Sequence, residues 1–177
     1  RRRAAADGGP GLLFGTIWVE DGKIYNAAVV ADDGKLLGVR FKSDLPNYGV
    51  FDEARYFVAG DTIEAIRVAG IDVALCICED LWQDGPSLAA KASGAGLLLV
   101  INGSPYEANK DDVRLELVRS RAQEAECALA YVNMVGGQDE LVFDGDSIVV
   151  DVRGDVLGRA GQFTDELLTV DLDVPAG

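Results

Sequence analysis

Three runs of nearly unbroken apolar residues limit the fold more than any other feature: VALCIC at 73–78, GLLLVIN at 96–102 and LAYVNMV at 129–135. A strand that is apolar at successive positions has to be covered on both faces. Between the first two runs, PSLAAKAS at 86–93 reads as a helix, with Pro86 in its first turn and Gly94 near its end. Between the second and third, the pattern turns helical from Asn109 to about Ala128. Leu115, Val118, Ala122, Ala125 and Leu129 fall on one stripe, and Asn109 or Asp111 is placed to cap the start. Strand, helix, strand, helix, strand predicts a layered domain of the α/β or α+β class.

Hairpins flank this centre. The segment from Gly11 to Phe41 holds three β-rich runs separated by Asp21-Gly22 and Asp33-Gly34, dipeptides that favour tight hairpin turns. Residues 42–61 read as a long ordered loop, and loops of that length in compact domains usually carry function. TIEAIRVAGIDVALCIC then supplies two strands about Ala69-Gly70, and the tail from Ser147 returns to hairpins, with Arg153-Gly154-Asp155 as a turn. The 177 residues suit one domain, without internal repeat or linker.

Charge and composition exclude several functions. Sixteen basic against thirty acidic residues give a net charge of -14, which repels nucleic-acid backbones and anionic lipid. No apolar run reaches the roughly 18 residues that suggest a membrane span. The opening RRRAAADGG lacks the apolar stretch of a signal peptide. Three cysteines in no disulfide framework fit a reducing, cytoplasmic setting. The absence of histidine removes Ser-His and Cys-His catalysis, so acid-base chemistry falls to carboxylates, lysine or tyrosine.

Cys76 and Cys78 lie two apart on one predicted strand, which puts them on one face, able to reach one site or one core. Cys78 is the better nucleophile candidate because the apolar run ends there and a turn follows. A free thiol has a pKa of roughly 8.5, so nearby N–H groups or a lysine would have to stabilise its thiolate. The other reading makes both small buried hydrophobes. Cys127, beside the helical stripe, is expected in the core. Glu79 and Asp80 read as acids complementing a helix start. A metal site with Cys78 is rejected for lack of a second ligand cluster. The turn NGSPYE at 102–107 leaves the next apolar strand, so Cys78, this turn and the 42–53 loop are predicted to converge at one rim of a sheet. VGGQDELVFDGD is glycine-rich without the lysine of a phosphate loop, and a hairpin is the better reading.

KSDLPNYGVFDEARYF, CEDLW, INGSPYE and YVNMVGGQDELVFDGDS closely resemble the glutaminase domain of glutamine-dependent NAD+ synthetases, a branch of the nitrilase superfamily of carbon–nitrogen hydrolases. The resemblance runs from about Leu12 to Val170. It implies a nitrilase-like α-β-β-α sandwich and a Glu-Lys-Cys triad. By resemblance Cys78 is the nucleophile, Lys42 the catalytic lysine and Glu53 a supporting glutamate, while Tyr48, Glu79 and Ser104 line the glutamine pocket. It also implies that the glutamate which takes the thiol proton sits in a Pro-Glu-Leu stretch upstream of FGTIW, a stretch that residues 1–30 do not contain.

The expectation is therefore a sandwich lacking its N-terminal strand and helix. Residues 1–11 would be the remnant of a preceding helix or linker and 12–172 a partial hydrolase domain, with an apolar face left open, poor solubility and no activity alone. No cofactor is expected in this domain; ATP and Mg belong to a synthetase domain of the same polypeptide that these residues do not include. The partners implied are glutamine, that domain and further copies of the chain. A stand-alone amidase and a non-catalytic scaffold remain as alternatives.

Overall fold

The computed structural model describes residues 9–61, 63–108 and 110–177, the side chains of Lys110 and Asp111 excepted. The described chain begins with a three-stranded antiparallel meander: β1 (Leu12–Glu20), β2 (Lys23–Asp32) and β3 (Lys35–Phe41). Both of its turns have positive φ at the two central residues, Asp21 and Gly22, then Asp33 and Gly34. This backbone matches the right-handed twist of the paired strands, which is why Asp-Gly marks these turns in the sequence.

After the loop that follows, with its 3-10 turn at Glu53–Arg55, the chain builds a second sheet. A short hairpin, β4 (Ile66–Val68) and β5 (Ile71–Ile77), leads through a 3-10 helix at Cys78–Trp82 into α1 (Asp84–Ala92). Then come β6 (Leu97–Asn102), α2 (Lys110–Ala125), β7 (Ala128–Asn133), a hairpin of β8 (Val135–Gln138) and β9 (Leu141–Asp144), β10 (Ile148–Val150) and β11 (Val156–Arg159). The six-stranded sheet has the order β11-β10-β7-β6-β5-β4, and its three central strands, the apolar runs, are parallel.

The parallel strands are apolar on both faces because two cores flank them. On one face Cys76, Leu98, Val100, Leu129 and Tyr131 pack with Ala90 of α1 and Val118, Ala122 and Ala125 of α2. On the other, Val73, Leu75 and Ile77 pack with Ala28 and Val30 of β2. The described layers are thus sheet, sheet, helices, in keeping with the expected α/β sandwich. Ile17, Val19 and Leu36 of the small sheet remain exposed.

Three expectations are corrected, and a fourth lies outside the described residues. The second helix ends at Ala125, not near Ala128, and Leu129 belongs to β7, buried by the same core through the sheet. A cap from Asn109 or Asp111 falls outside the described residues. The tail forms one hairpin, β10 to β11 around Arg153-Gly154-Asp155; beyond β11 the described residues carry no further strand or helix, only a bridge between Gly145 and Gln162 and a turn at Phe163. Cys76 and Cys78 do not share a face. Cys76 is fully buried in the helix-side core, whereas Cys78 has left the strand with φ at 50° and packs against the core between the sheets.

Candidate active site

β5, β6 and β7 end at one rim, and the turns that leave them build the site. Cys78 follows β5 directly. A positive φ at a residue with a Cβ costs about 1–2 kcal/mol, and surrounding contacts have to hold it. Those contacts are present. The Asp80 carboxylate accepts from the N–H of Ile77 at 3.0 Å, and Arg121 of α2 donates to the carbonyls of Leu81 (2.8 Å) and Trp82 (3.0 Å). Cys78 is half-buried, while Cys76 and Cys127 are buried.

Lys42 emerges from the end of β3 and is almost completely buried, at 1% exposure. Its ammonium pairs with Glu53 Oε1 at 2.6 Å, and Asn26 Nδ2 of β2 donates to Glu53 Oε2 at 3.3 Å. Lys42, Glu53 and Cys78 line one cavity of about 530 Å3 with Asn26, Gly103 and Met134. Burial pushes the Cys78 thiol up; the charge of Lys42 opposes this, Glu53 and Glu79 add to it, and the Gly103 N–H draws it down. A lysine and a backbone donor thus favour the thiolate against the cost of desolvation.

A second cavity, about 490 Å3, opens on the other side of Cys78 and Phe51. Tyr48, Glu79, Trp82, Ser104 and Glu107 are among its walls. The Tyr48 hydroxyl donates to Glu79 Oε2 at 2.8 Å, and this bond, with lesser help from burial, pushes the phenol up to about 12. Ser104 is buried, its N–H donating to Asn133 Oδ1 at 2.9 Å and its hydroxyl accepting from Arg114 at 3.3 Å. The structure therefore brings Cys78, Lys42 and Glu53 around one cavity and Tyr48, Glu79 and Ser104 around the other, with the thiol between them.

Three supporting side chains escape a sequence reading. Asp80 is fully buried and accepts three backbone N–H bonds, so it is more than an acid complementing a helix start. Arg114 of α2 is fully buried, doubly bonded to Asp144 at 2.7 and 2.8 Å, and donates to the carbonyls of Ser104 and Pro105 at 3.0 Å. Arg121 clamps the turn after Cys78. One signal was available: positions 114, 118, 121 and 125 follow helical spacing, so both arginines lie on the apolar stripe, where a charge needs a buried partner.

Comparison with known proteins gives the family of the chain. Residues 2–176 match the family model for carbon-nitrogen hydrolases. The glutamine-dependent NAD(+) synthetase of Thermotoga maritima is 46% identical over 156 residues, 87% of this chain and 27% of that protein. The chain thus spans roughly a quarter to a third of the relatives it matches. The structure of glutamine-dependent NAD+ synthetase from Acinetobacter baumannii, in complex with ADP, is similar with a TM-score of 0.84 at 39% identity, covering 88% of this chain and 30% of that one. A variant of the amidase from Nesterenkonia sp. AN1, solved with acrylamide added at its active site cysteine, has a TM-score of 0.86 at 33% identity and covers 97% of this chain and 66% of its own. Matched over nearly its whole length in sequence and in fold, this chain belongs to the carbon-nitrogen hydrolase family.

Proposed function

We propose that this chain is the glutamine-hydrolysing part of a glutamine-dependent NAD+ synthetase. One observation carries the reading: Cys78 stands on a turn between a cavity holding the Lys42–Glu53 ion pair and a cavity lined by Glu79, Glu107 and the Tyr48 hydroxyl. Carboxylates and a phenol suit the ammonium group of an amino-acid amide better than an unsubstituted aliphatic amide.

In this mechanism the Cys78 thiolate adds to the side-chain amide carbon of glutamine, and the C=O electron pair moves onto oxygen. Lys42 stabilises that oxyanion. Its collapse expels the amine, which takes up a proton and leaves as ammonia, and water then hydrolyses the Cys78 thioester to glutamate. Glu53 is committed to Lys42, and Glu79 accepts from Tyr48. By the family resemblance, the thiol proton goes to the glutamate of a Pro-Glu-Leu stretch, which residues 1–30 do not contain, and that glutamate returns it to the departing amine. Ammonia would pass to an ATP- and Mg-dependent domain that amidates nicotinic acid adenine dinucleotide.

The test is labelling of Cys78 by a diazoketone analogue of glutamine, read by mass spectrometry. Protection by glutamine but not by butyramide is expected. Equal protection by butyramide would favour a stand-alone amidase, a reading supported by the likeness to the Nesterenkonia enzyme. Absence of labelling would favour a non-catalytic scaffold.

A further inference from the structure

The buried carboxylate of Asp80 joins two segments that the chemistry needs together. One oxygen accepts the N–H groups of Ser43 and Asp44, both at 2.9 Å, and the other accepts the N–H of Ile77 at 3.0 Å. Ser43 directly follows Lys42, and Ile77 directly precedes Cys78. All three partners are donors, so residue 80 has to accept on both oxygens, which an ionised carboxylate does and an amide cannot. The Arg40 guanidinium flanks the same loop, bonded to the Phe41 carbonyl and to Ser43 Oγ.

We propose that Asp80 is a positioning residue, whose carboxylate holds the loop carrying Lys42 against the turn carrying Cys78 and so sets how closely the lysine charge attends the sulfur. The proposal rests on the reading of Cys78 and Lys42 as a reacting pair. The charges of Lys42 from the end of β3, Glu53 from the 3-10 turn and Glu79 from the nucleophile's own turn, and the Gly103 N–H after β6, act on the thiol, whose charge in turn acts on Tyr48 and Tyr131. Around Asp80 stand Arg40, Asp44 and Cys76.

The sign of one measurement separates positioning from the alternatives. Removing a buried negative charge should, by electrostatics alone, make a neighbouring thiol more acidic. Releasing Lys42 should make it less acidic. The experiment is the pH profile of iodoacetamide alkylation at Cys78, followed by mass spectrometry, for the parent protein, Asp80→Asn, Lys42→Met and the double variant. Asp80→Asn is expected to move the profile to higher pH by about one unit, which slows alkylation near neutrality about tenfold. Lys42→Met should shift it likewise, and the double variant no further than Lys42→Met alone.

An unshifted or downward-shifted profile in Asp80→Asn, or a shift that persists on the Lys42→Met background, overturns the proposal. Should Asp80→Asn not fold, Ser43→Pro removes one donor and leaves the carboxylate; it is expected to shift the profile the same way by less, and no shift is again a refutation. Lys42→Met without effect refutes the Cys78–Lys42 pair and the proposal with it. The expected shifts in a protein whose Cys78 is protected equally by butyramide and by glutamine refute the glutamine reading and leave the role of Asp80 standing.

Discussion

The Cys78 thiol sits on a residue with φ of 50°, held there by Asp80 below and Arg121 behind. Of the chain's three cysteines it alone is not buried. Desolvation pushes Cys127 up to about 11 and Cys76 higher still. Iodoacetamide should therefore modify Cys78 first in the native protein, with Cys76 and Cys127 silent until denaturant is added. Because burial also raises the Cys78 thiol, its thiolate is scarce at neutral pH, and the rate should still climb between pH 8 and 9. Peptide mapping checks both points, and early modification of Cys127 would contradict the packing. Lys42→Met removes the charge placed for the oxyanion, and in a chain that also carries the proton-accepting glutamate, glutamine turnover should fall by about a hundredfold or more, mainly in kcat. A change confined to KM would remove Lys42 from the chemistry.

At the scale of elements, α2 does more than cover the sheet. Its Arg114 is fully buried, bonded twice to Asp144 at the end of β9, and holds the carbonyls of Ser104 and Pro105 in the turn after β6. Breaking a buried ion pair at one end strands the other charge, at a cost of about 3–5 kcal/mol. Arg114→Met should therefore lower the melting temperature by on the order of 10 °C. Replacing both partners, as Arg114→Met with Asp144→Leu, should restore most of that loss, because no charge is left unpaired. The two carbonyls lose their donor in either variant, so in a chain that also carries the proton-accepting glutamate, KM for the amide substrate should stay raised in the double variant. Calorimetry and steady-state kinetics together check this; recovery of KM along with stability would show that Arg114 does not position the turn.

The whole molecule is organised around one sheet shared by two cores. Leu75 on β5 packs toward the small sheet and Leu98 on β6 toward the helices. Because β5 and β6 are hydrogen-bonded neighbours, damage on either face reaches the other. Leu75→Ala and Leu98→Ala are each expected to cost about 2–5 kcal/mol and to lower one common transition. The two tryptophans make this measurable, since Trp18 lies in β1 and Trp82 closes the turn after Cys78. Their fluorescence transitions, recorded separately in Trp→Phe variants, should coincide. Earlier melting at Trp18 would mean that the three-stranded sheet is a unit of its own.

The sequence by itself determined the elements and their order. Apolar runs that could only be covered on both faces marked β5, β6 and β7, and Asp-Gly pairs marked the hairpins, because turn chemistry and hydrophobic period are local properties. It also placed Cys78 at a strand end and, by resemblance, named Lys42, Glu53, Tyr48, Glu79 and Ser104. Tertiary structure decided the rest. The face shown by Cys78 reversed the strand rule, because its left-handed backbone exists only while Asp80 and Arg121, distant in sequence or bonded to distant segments, hold it. The partners of Arg114 lie up to thirty residues away. No local pattern encodes such pairs, since a buried charge is stable only where the fold delivers its counterpart.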